Sequence, residues 1–308
     1  MDEFELIEKY FVRANEGSGV ALGIGDDGAV LRPDPDRDLV AVVDTLVAGV
    51  HYPAATDAYD VGYRSVVINL SDIAAMGARP RWMTLALSMP SADEEWVAGF
   101  ADGLHAAAAE YGVALVGGDT TSGDQVVVSV QITGDVAAGA AIRRGGARVG
   151  DTIFVTGTVG DAAAGLESMS AGNPNEALMA RFLRPTPRVD YGMSLVGSAS
   201  AAIDISDGLY GDLQKLLCAS AVGAILELEL LPISAALRSV FDADAVRRFA
   251  LSGGDDYELC FTARDSELPD SGDLRVTAIG KVTREKDIVC REHGAVVEYG
   301  NGGYRHFQ

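Results

Sequence analysis

Between residues 57 and 76, apolar Val66, Val67, Leu70, Ile73, Ala74 and Met76 recur at helical spacing, and Gly77 follows as a C-cap. The pattern predicts a helix over 57–76 that is buried along most of its length. Asp72 interrupts it. A carboxylate in such a run costs several kcal/mol unless it is paired, hydrogen-bonded or bound to a cation. Before this helix, Leu39 to Val43 form an apolar run too short for a helix, so 38–44 reads as a strand ending on Asp44. After it, the spacing predicts a strand over 82–89, a helix over 92–111, a strand over 113–116 and another over 126–136. Residues 4–14 read as a short amphipathic helix.

The stretch 139–150 is polar, rich in glycine and basic, with Arg143, Arg144 and Arg148. It marks a boundary between an N-terminal domain, 1–138, and a C-terminal domain, 139–308. Beyond it come a strand at 151–156, a helix over 157–166 and a loop at 171–175. Residues 181–188 hold Pro185, Pro187 and three arginines, which suggests an exposed connector. A buried strand at 201–205 ends on Ser206-Asp207-Gly208. Then follow a helix to Ser220, a strand over 224–230, a helical stretch before Gly253, and strands near 258–262 and 275–282. Strands and helices mixed in this order predict an α/β protein with a mixed sheet and packed helices in each domain.

Charge narrows the partners. Of 308 residues, 24 are Lys or Arg and 45 are Asp or Glu, a formal balance of −21. Such a chain repels nucleic acid and anionic membrane surfaces, and it needs cations to hold a polyanion. No apolar run is long enough to span a membrane, and the acidic start is unlike a signal peptide, so a cytoplasmic protein is expected. Cys218, Cys260 and Cys290 form no Cys-x-x-Cys pair, which argues against a disulfide framework or a structural zinc site.

The aspartates carry the candidate chemistry. Asp26, Asp27, Asp44, Asp119, Asp204, Asp207, Asp255 and Asp256 stand at predicted strand ends or in glycine-rich loops, and Asp72 joins them from a helix. Carboxylates gathered in this way suit a hard cation such as Mg2+, shared with substrate phosphates. Taken singly, each Asp-Gly is better read as a cap or turn; Asp44 and Asp72 resist that reading because they end or interrupt apolar runs. Gly23-Ile-Gly-Asp-Asp-Gly28 matches G-x-G-x-x-G but neither follows a full strand nor opens a helix, so a dinucleotide fold is discounted, and no P-loop motif occurs. His51 closes the segment that begins at Asp44. Arg144 has two local readings, a phosphate clamp or a solvated linker arginine.

Six motifs together resemble thiamine-monophosphate kinases: Gly23-Ile-Gly-Asp-Asp27, Asp44-Thr-Leu-Val-Ala-Gly-Val-His51, Asn69-Leu-Ser-Asp-Ile-Ala-Ala-Met-Gly77, Gly117-Gly-Asp-Thr-Thr121, Ile203-Asp-Ile-Ser-Asp-Gly-Leu209 and Ser252-Gly-Gly-Asp-Asp-Tyr-Glu-Leu259. The resemblance runs nearly end to end and implies a two-domain aminoimidazole ribonucleotide synthetase-like fold. It implies transfer of the ATP γ-phosphate to thiamine monophosphate. Asp27, Asp44, Asp72, Asp119 and Asp204 would hold several Mg2+ around the phosphates, with Asp207 on a further ion. Gly118, Asp119, Arg144 and Ser206 would contact the nucleotide; His51, Asp255 and Tyr304 would contact thiamine monophosphate. No catalytic base is implied. The family pairs its N-terminal domains as a homodimer, and its C-terminal domain closes over the site.

Two positions depart from the family pattern. Val42 and Val43 stand just before Asp44, where the family carries Ser or Thr, so any metal contact there runs through backbone carbonyls. Asp255 replaces a glutamate, with a shorter reach toward the substrate base. Other ATP-dependent enzymes of the superfamily and a non-catalytic Mg-nucleotide binder are the alternatives. A selenophosphate synthetase is expected to carry an early reactive cysteine, and no Cys precedes Cys218.

Overall fold

The computed structural model describes residues 3–12, 17–264 and 268–299. The chain forms two compact units, Met1–Ile73 with Ala78–Ala141, and Ala74–Gly77 with Ile142–Gln308.

The first unit opens with helix α1 (Glu3–Tyr10) and a small hairpin of β1 (Val20–Leu22) and β2 (Val30–Leu31). The main elements are β3 (Arg37–Val47), α2 (Ala58–Ala75), β4 (Arg79–Met89), α3 (Glu94–Glu110), β5 (Ala114–Ser122) and β6 (Val127–Ala137). The four-stranded sheet has the order β3-β6-β4-β5. Only β4 and β5 run parallel, and α3 makes the crossover between them. One sheet face buries Leu85, Leu87, Val128, Val130 and Ile132.

α2 is buried along most of its length, as its pattern predicts, because Val61, Val66, Val67, Leu70 and Ile73 cover several sides of it. It lies close against α3. A Cβ at Gly62 would meet the Phe100 carbonyl at 2.0 Å, and one at Gly103 would meet that of Tyr59 at 2.0 Å. Two helices without side chains at these points can approach backbone to backbone. Asp93 caps α3 by accepting from the Glu95 and Trp96 amides. β5 extends through Gly117, Gly118 and Asp119, where the pattern expects the strand to stop at 116.

In the second unit, β7 (Thr152–Thr156), β8 (Ala199–Asp204), β9 (Gly223–Glu227), β10 (Leu259–Ala263), β11 (Val276–Thr283), β12 (Ile288–Glu292) and β13 (Ala295–Val297) form a seven-stranded sheet, order β13-β12-β9-β11-β7-β10-β8. All its pairs are antiparallel except β12 with β9. Helices α4 (Asp161–Ser170), α5 (Glu176–Leu183), α6 (Val189–Ser194), α7 (Leu209–Ser220), α8 (Ala235–Val240) and α9 (Ala243–Ser252) complete it. Ile153, Val155, Ile203, Leu213, Leu216, Cys260 and Ile279 lie in one core. Each unit is therefore a mixed sheet packed with helices, the expected class.

Two further local expectations fail. β9 ends at Glu227, and 228–230 form a 3-10 turn rather than more strand. The stretch 181–188 is no exposed connector. Arg181 belongs to α5, and Arg181 and Arg188 both reach the fully buried Glu258, at 2.7 Å and 2.5 Å. Thr156 donates to the same carboxylate at 2.7 Å. A distant acid on β10's approach turned two arginines inward, which local composition could not reveal.

Candidate functional site

In the first unit, the glycine-rich loop is fixed from below. Trp82 on β4 donates through its indole N–H to the Ser18 carbonyl at 3.0 Å. Trp82, Ala114 and Val116 pack beneath Val20, Ala29 and Leu31 of the hairpin. This hairpin confirms why the G-x-G-x-x-G match opens no helix: Val20 and Leu22 pair antiparallel with Leu31 and Val30. The loop it carries lines a cleft of about 490 Å³ together with β5; Asp26, Asp27, Gly118 and Asp119 all border it.

Asp27 and Asp119 thus share one cleft. Among the described residues, no basic side chain pairs with either carboxylate. Gly118 is required by the strand beside it: a Cβ there would meet the Leu85 carbonyl of β4 at 2.0 Å. The glycine admits the neighbouring strand and leaves the backbone beside Asp119 bare toward the cleft.

Asp44 is placed differently. β3 and β5 are opposite edges of the sheet, about 14 Å apart at ordinary strand spacing. One row across the sheet runs Asp44, Val130, Leu85, Gly118. The next row runs Thr45, Ser129, Ala86, Asp119. Paired residues share a face and successive residues alternate, so Asp44 and Asp119 lie on opposite faces of one sheet. Val43 lies on the face of Thr45 and is 63% exposed, with Leu39 51% exposed on the same face. Val42 alternates to the face of Asp44.

Asp72 is half-buried, whereas Leu70, Ser71 and Ile73 around it are buried. The run does not enclose the carboxylate as the pattern suggests, and solvent reaches it. His51 accepts the Val47 amide on Nδ1 at 3.0 Å, which puts its proton on Nε2.

In the second unit, two loops are laced together at the ends of β8 and β10. The Tyr257 amide donates to the Ile205 carbonyl at 2.8 Å, the Ile205 amide to the Glu258 carbonyl at 2.8 Å, and the Asp255 amide to the Ser206 carbonyl at 2.9 Å. Asp255 and Tyr257 both adopt left-handed backbone, φ 71° and 51°, a strain that usually persists only where the surroundings impose it. The Tyr257 hydroxyl donates to the Asp255 carboxylate at 3.2 Å. Ser206, Asp207 and Asp255 are therefore neighbours, and buried Asp204 leads into them. The Arg144 side chain is exposed, and its carbonyl accepts from Ser220 at 2.9 Å, so the loop is anchored and the guanidinium is left outward. Tyr304 lies outside the described residues.

Sequence reading did not single out Asp212, and it placed Asp256 with the candidate ligands rather than in the fold's interior. Asp212, buried on α7, accepts the Ser206 and Asp207 amides at 3.0 Å and 2.9 Å. Burial pushes its carboxyl up, against hydrogen bonding from Lys215. Asp256 accepts the Gly160 and Ala162 amides at 2.6 Å and 3.2 Å. Its burial pushes the carboxyl up to about 8 despite those bonds. The pattern signal for Asp212 was available: an acid in the first turn of a helix whose preceding residue is glycine, with no capping side chain.

Among the described residues, no three His, Cys, Asp or Glu side chains come close enough to hold a metal ion. Nor is any described helix long and apolar enough to cross a membrane.

Residues 25–136 match the family model of AIR synthase related protein, N-terminal domain. The thiamine-monophosphate kinase of Salmonella typhimurium is 42% identical over 320 residues, covering 99% of this chain and 98% of the relative. The crystal structure of thiamine-monophosphate kinase from Stenotrophomonas maltophilia superposes with TM-score 0.88 at 44% identity, over 96% of this chain and 98% of that one. The structure of AaThiL complexed with AMPPCP and TMP matches with TM-score 0.81 at 33% identity, over 92% of each chain.

Proposed function

The chain belongs to the thiamine-monophosphate kinase family, and we propose that it transfers the γ-phosphoryl group of ATP to thiamine monophosphate. A phosphate oxygen of thiamine monophosphate attacks the γ-phosphorus, the bond to the β,γ-bridging oxygen breaks, and thiamine diphosphate and ADP result. The attacking phosphate is already anionic near neutral pH, so the chain needs no general base; positioning and charge neutralisation carry the rate.

Mg2+ fits the residues present. The candidate ligands Asp27, Asp44, Asp72, Asp119, Asp204 and Asp207 are all oxygen donors, and Asp27 and Asp119 border one cleft free of described basic partners. Among the described residues no three-carboxylate cage occurs, which suits a cation that takes one or two carboxylates and completes its shell with water and phosphate. When bound, Mg2+ supplies neutralisation of two anionic substrates that otherwise repel. Gly118, Arg144 and Ser206 would hold the nucleotide. His51, Asp255 and Tyr304 would hold thiamine monophosphate, with the thiazolium cation suited to an acidic surface. Val42 and Val43 would offer only carbonyl oxygens.

The opposition of Asp44 and Asp119 supports a homodimer with a shared site. If both carboxylates serve one triphosphate, the two must come from different chains. β3 is an 11-residue edge strand with an apolar outer face at Leu39, Ala41 and Val43, and such an edge calls for cover. The N-terminal unit is then the dimerising domain of a cytoplasmic enzyme.

The observation that carries the reading is the Asp27–Asp119 cleft in a chain so similar along its whole length to thiamine-monophosphate kinases. A coupled ADP-release assay tests it. ADP should form only with Mg2+, ATP and thiamine monophosphate together; turnover with another acceptor but none with this one overturns it.

A further inference from the structure

Asp207 already has a cation. The Lys215 ammonium stands 2.5 Å from its carboxylate and 2.8 Å from Asp212, two turns along α7 from the loop. Asp207 is 34% and Lys215 44% exposed, whereas Asp212 is 1% exposed. Asp212 therefore has a double role: one oxygen fastens the Ser206 and Asp207 amides, and the other holds the ammonium. The backbone of the loop is anchored from its other side by the Asp255 amide on the Ser206 carbonyl. The loop's backbone is thus held from both sides, and among the described residues the side chain paired with the Asp207 carboxylate is the partly exposed Lys215.

We propose that Lys215 is a displaceable counter-ion: it occupies Asp207 until a divalent cation takes the carboxylate, and Asp212 keeps the ammonium close afterwards. This rests on the assignment of Asp207 as a cation ligand. Lys215 holds Asp207 through Oδ2 alone, so a divalent ion that takes that oxygen has to break the lysine contact, and repulsion between the two cations disfavours sharing the carboxylate. Because Asp212 also engages Lys215, the lysine is retained on the buried acid and the charge there stays compensated. Lys215 then sets the affinity of this ion, keeping the position neutral at low divalent concentration and yielding it at higher concentration. A solvent-reached ion pair contributes little, so the competition is mild and reversible.

Mn2+ titration of the full chain, followed by electron paramagnetic resonance and calorimetry without nucleotide, tests this. Asp207→Asn should lose one bound Mn2+. Lys215→Gln should tighten that same ion by up to about fivefold, the size expected for removing an exposed ion pair. Lys215→Arg keeps the charge and should remain close to the unsubstituted protein. If Asp207→Asn loses the ion but Lys215→Gln binds it no more tightly, the displacement is overturned and the ligand assignment stands. If Asp207→Asn binds Mn2+ unchanged, both fall.

Discussion

Two sets of carboxylates divide this molecule. Asp27 and Asp119 in the first unit border an open cleft with no described basic partner. Glu258, Asp256 and Asp212 in the second unit are buried and filled with donors: two arginines and a threonine for Glu258, two amides for Asp256, two amides and a lysine for Asp212. The first unit has its own filled acid, Asp135, fully buried against Arg81 and Arg37, each at 2.6 Å. An acid satisfied by the chain is committed to the fold. An acid left open keeps its lone pairs for something that arrives from solvent. Sequence alone does not separate the two sets; the distinction lies in what the fold brings to them.

Several measurements would break or sharpen that division. The largest effect belongs to the open set. Asp119→Asn should lower kcat by about a thousandfold or more, the scale of losing an electrostatic group at the reacting phosphates, while the urea midpoint stays within error of the parent. A large stability loss instead would move Asp119 into the filled set. Glu258→Gln should act the other way. It strands two guanidinium groups near a buried neutral amide, and unfolding free energy should drop by about 3–5 kcal/mol, read from denaturant curves with an unchanged slope.

Asp256 gives a pH signature. Its carboxyl is raised from the ordinary 3.8 to about 8 in the folded chain, so the folded state holds a proton that the unfolded state has released. Its stabilising contribution is full below about pH 4 and is lost as pH rises toward 8. Asp256→Asn should remove that slope and flatten stability between those limits. A slope unchanged in the variant would assign it to other groups. The smallest effect is at the rim of Asp135. Arg79 is 48% exposed and reaches Asp135 at 3.3 Å, so Arg79→Ala should cost less than about 1 kcal/mol, and a larger loss would mean that Asp135 depends on all three of its arginines.

Much of this was legible in the sequence. The helix over 57–76 follows from its periodicity, and the strands bearing Asp44 and Asp204 follow from short apolar runs. The six motifs identify the family, and Asp27, Gly118 and Asp119 fall on one cleft as their loop chemistry suggested. What escaped is what distance along the chain hides. Arg181 and Arg188 turn inward only because Glu258 waits some seventy residues on. Asp212 looks like an ordinary first-turn acid until the Ser206 and Asp207 amides are seen to point at it. The faces of Asp44 and Asp119 depend on sheet order, and no local pattern states that β3 and β5 are opposite edges. The pattern sets Asp72 among buried neighbours, yet one position on a buried helix can still face solvent.

In the proposed dimer, Asp44 of one chain and Asp119 of its partner complete one site. Mixing tests it most directly: Asp44→Asn and Asp119→Asn proteins, each inactive alone, are unfolded together, refolded and assayed for thiamine diphosphate formation. If the site is shared, each mixed dimer carries one site with both substitutions and one with neither, so activity returns, to about a quarter of the parent's for random pairing. If each site lies within one chain, every site in the mixed dimer keeps one substitution, and a mixture as inactive as its parts contradicts the claim.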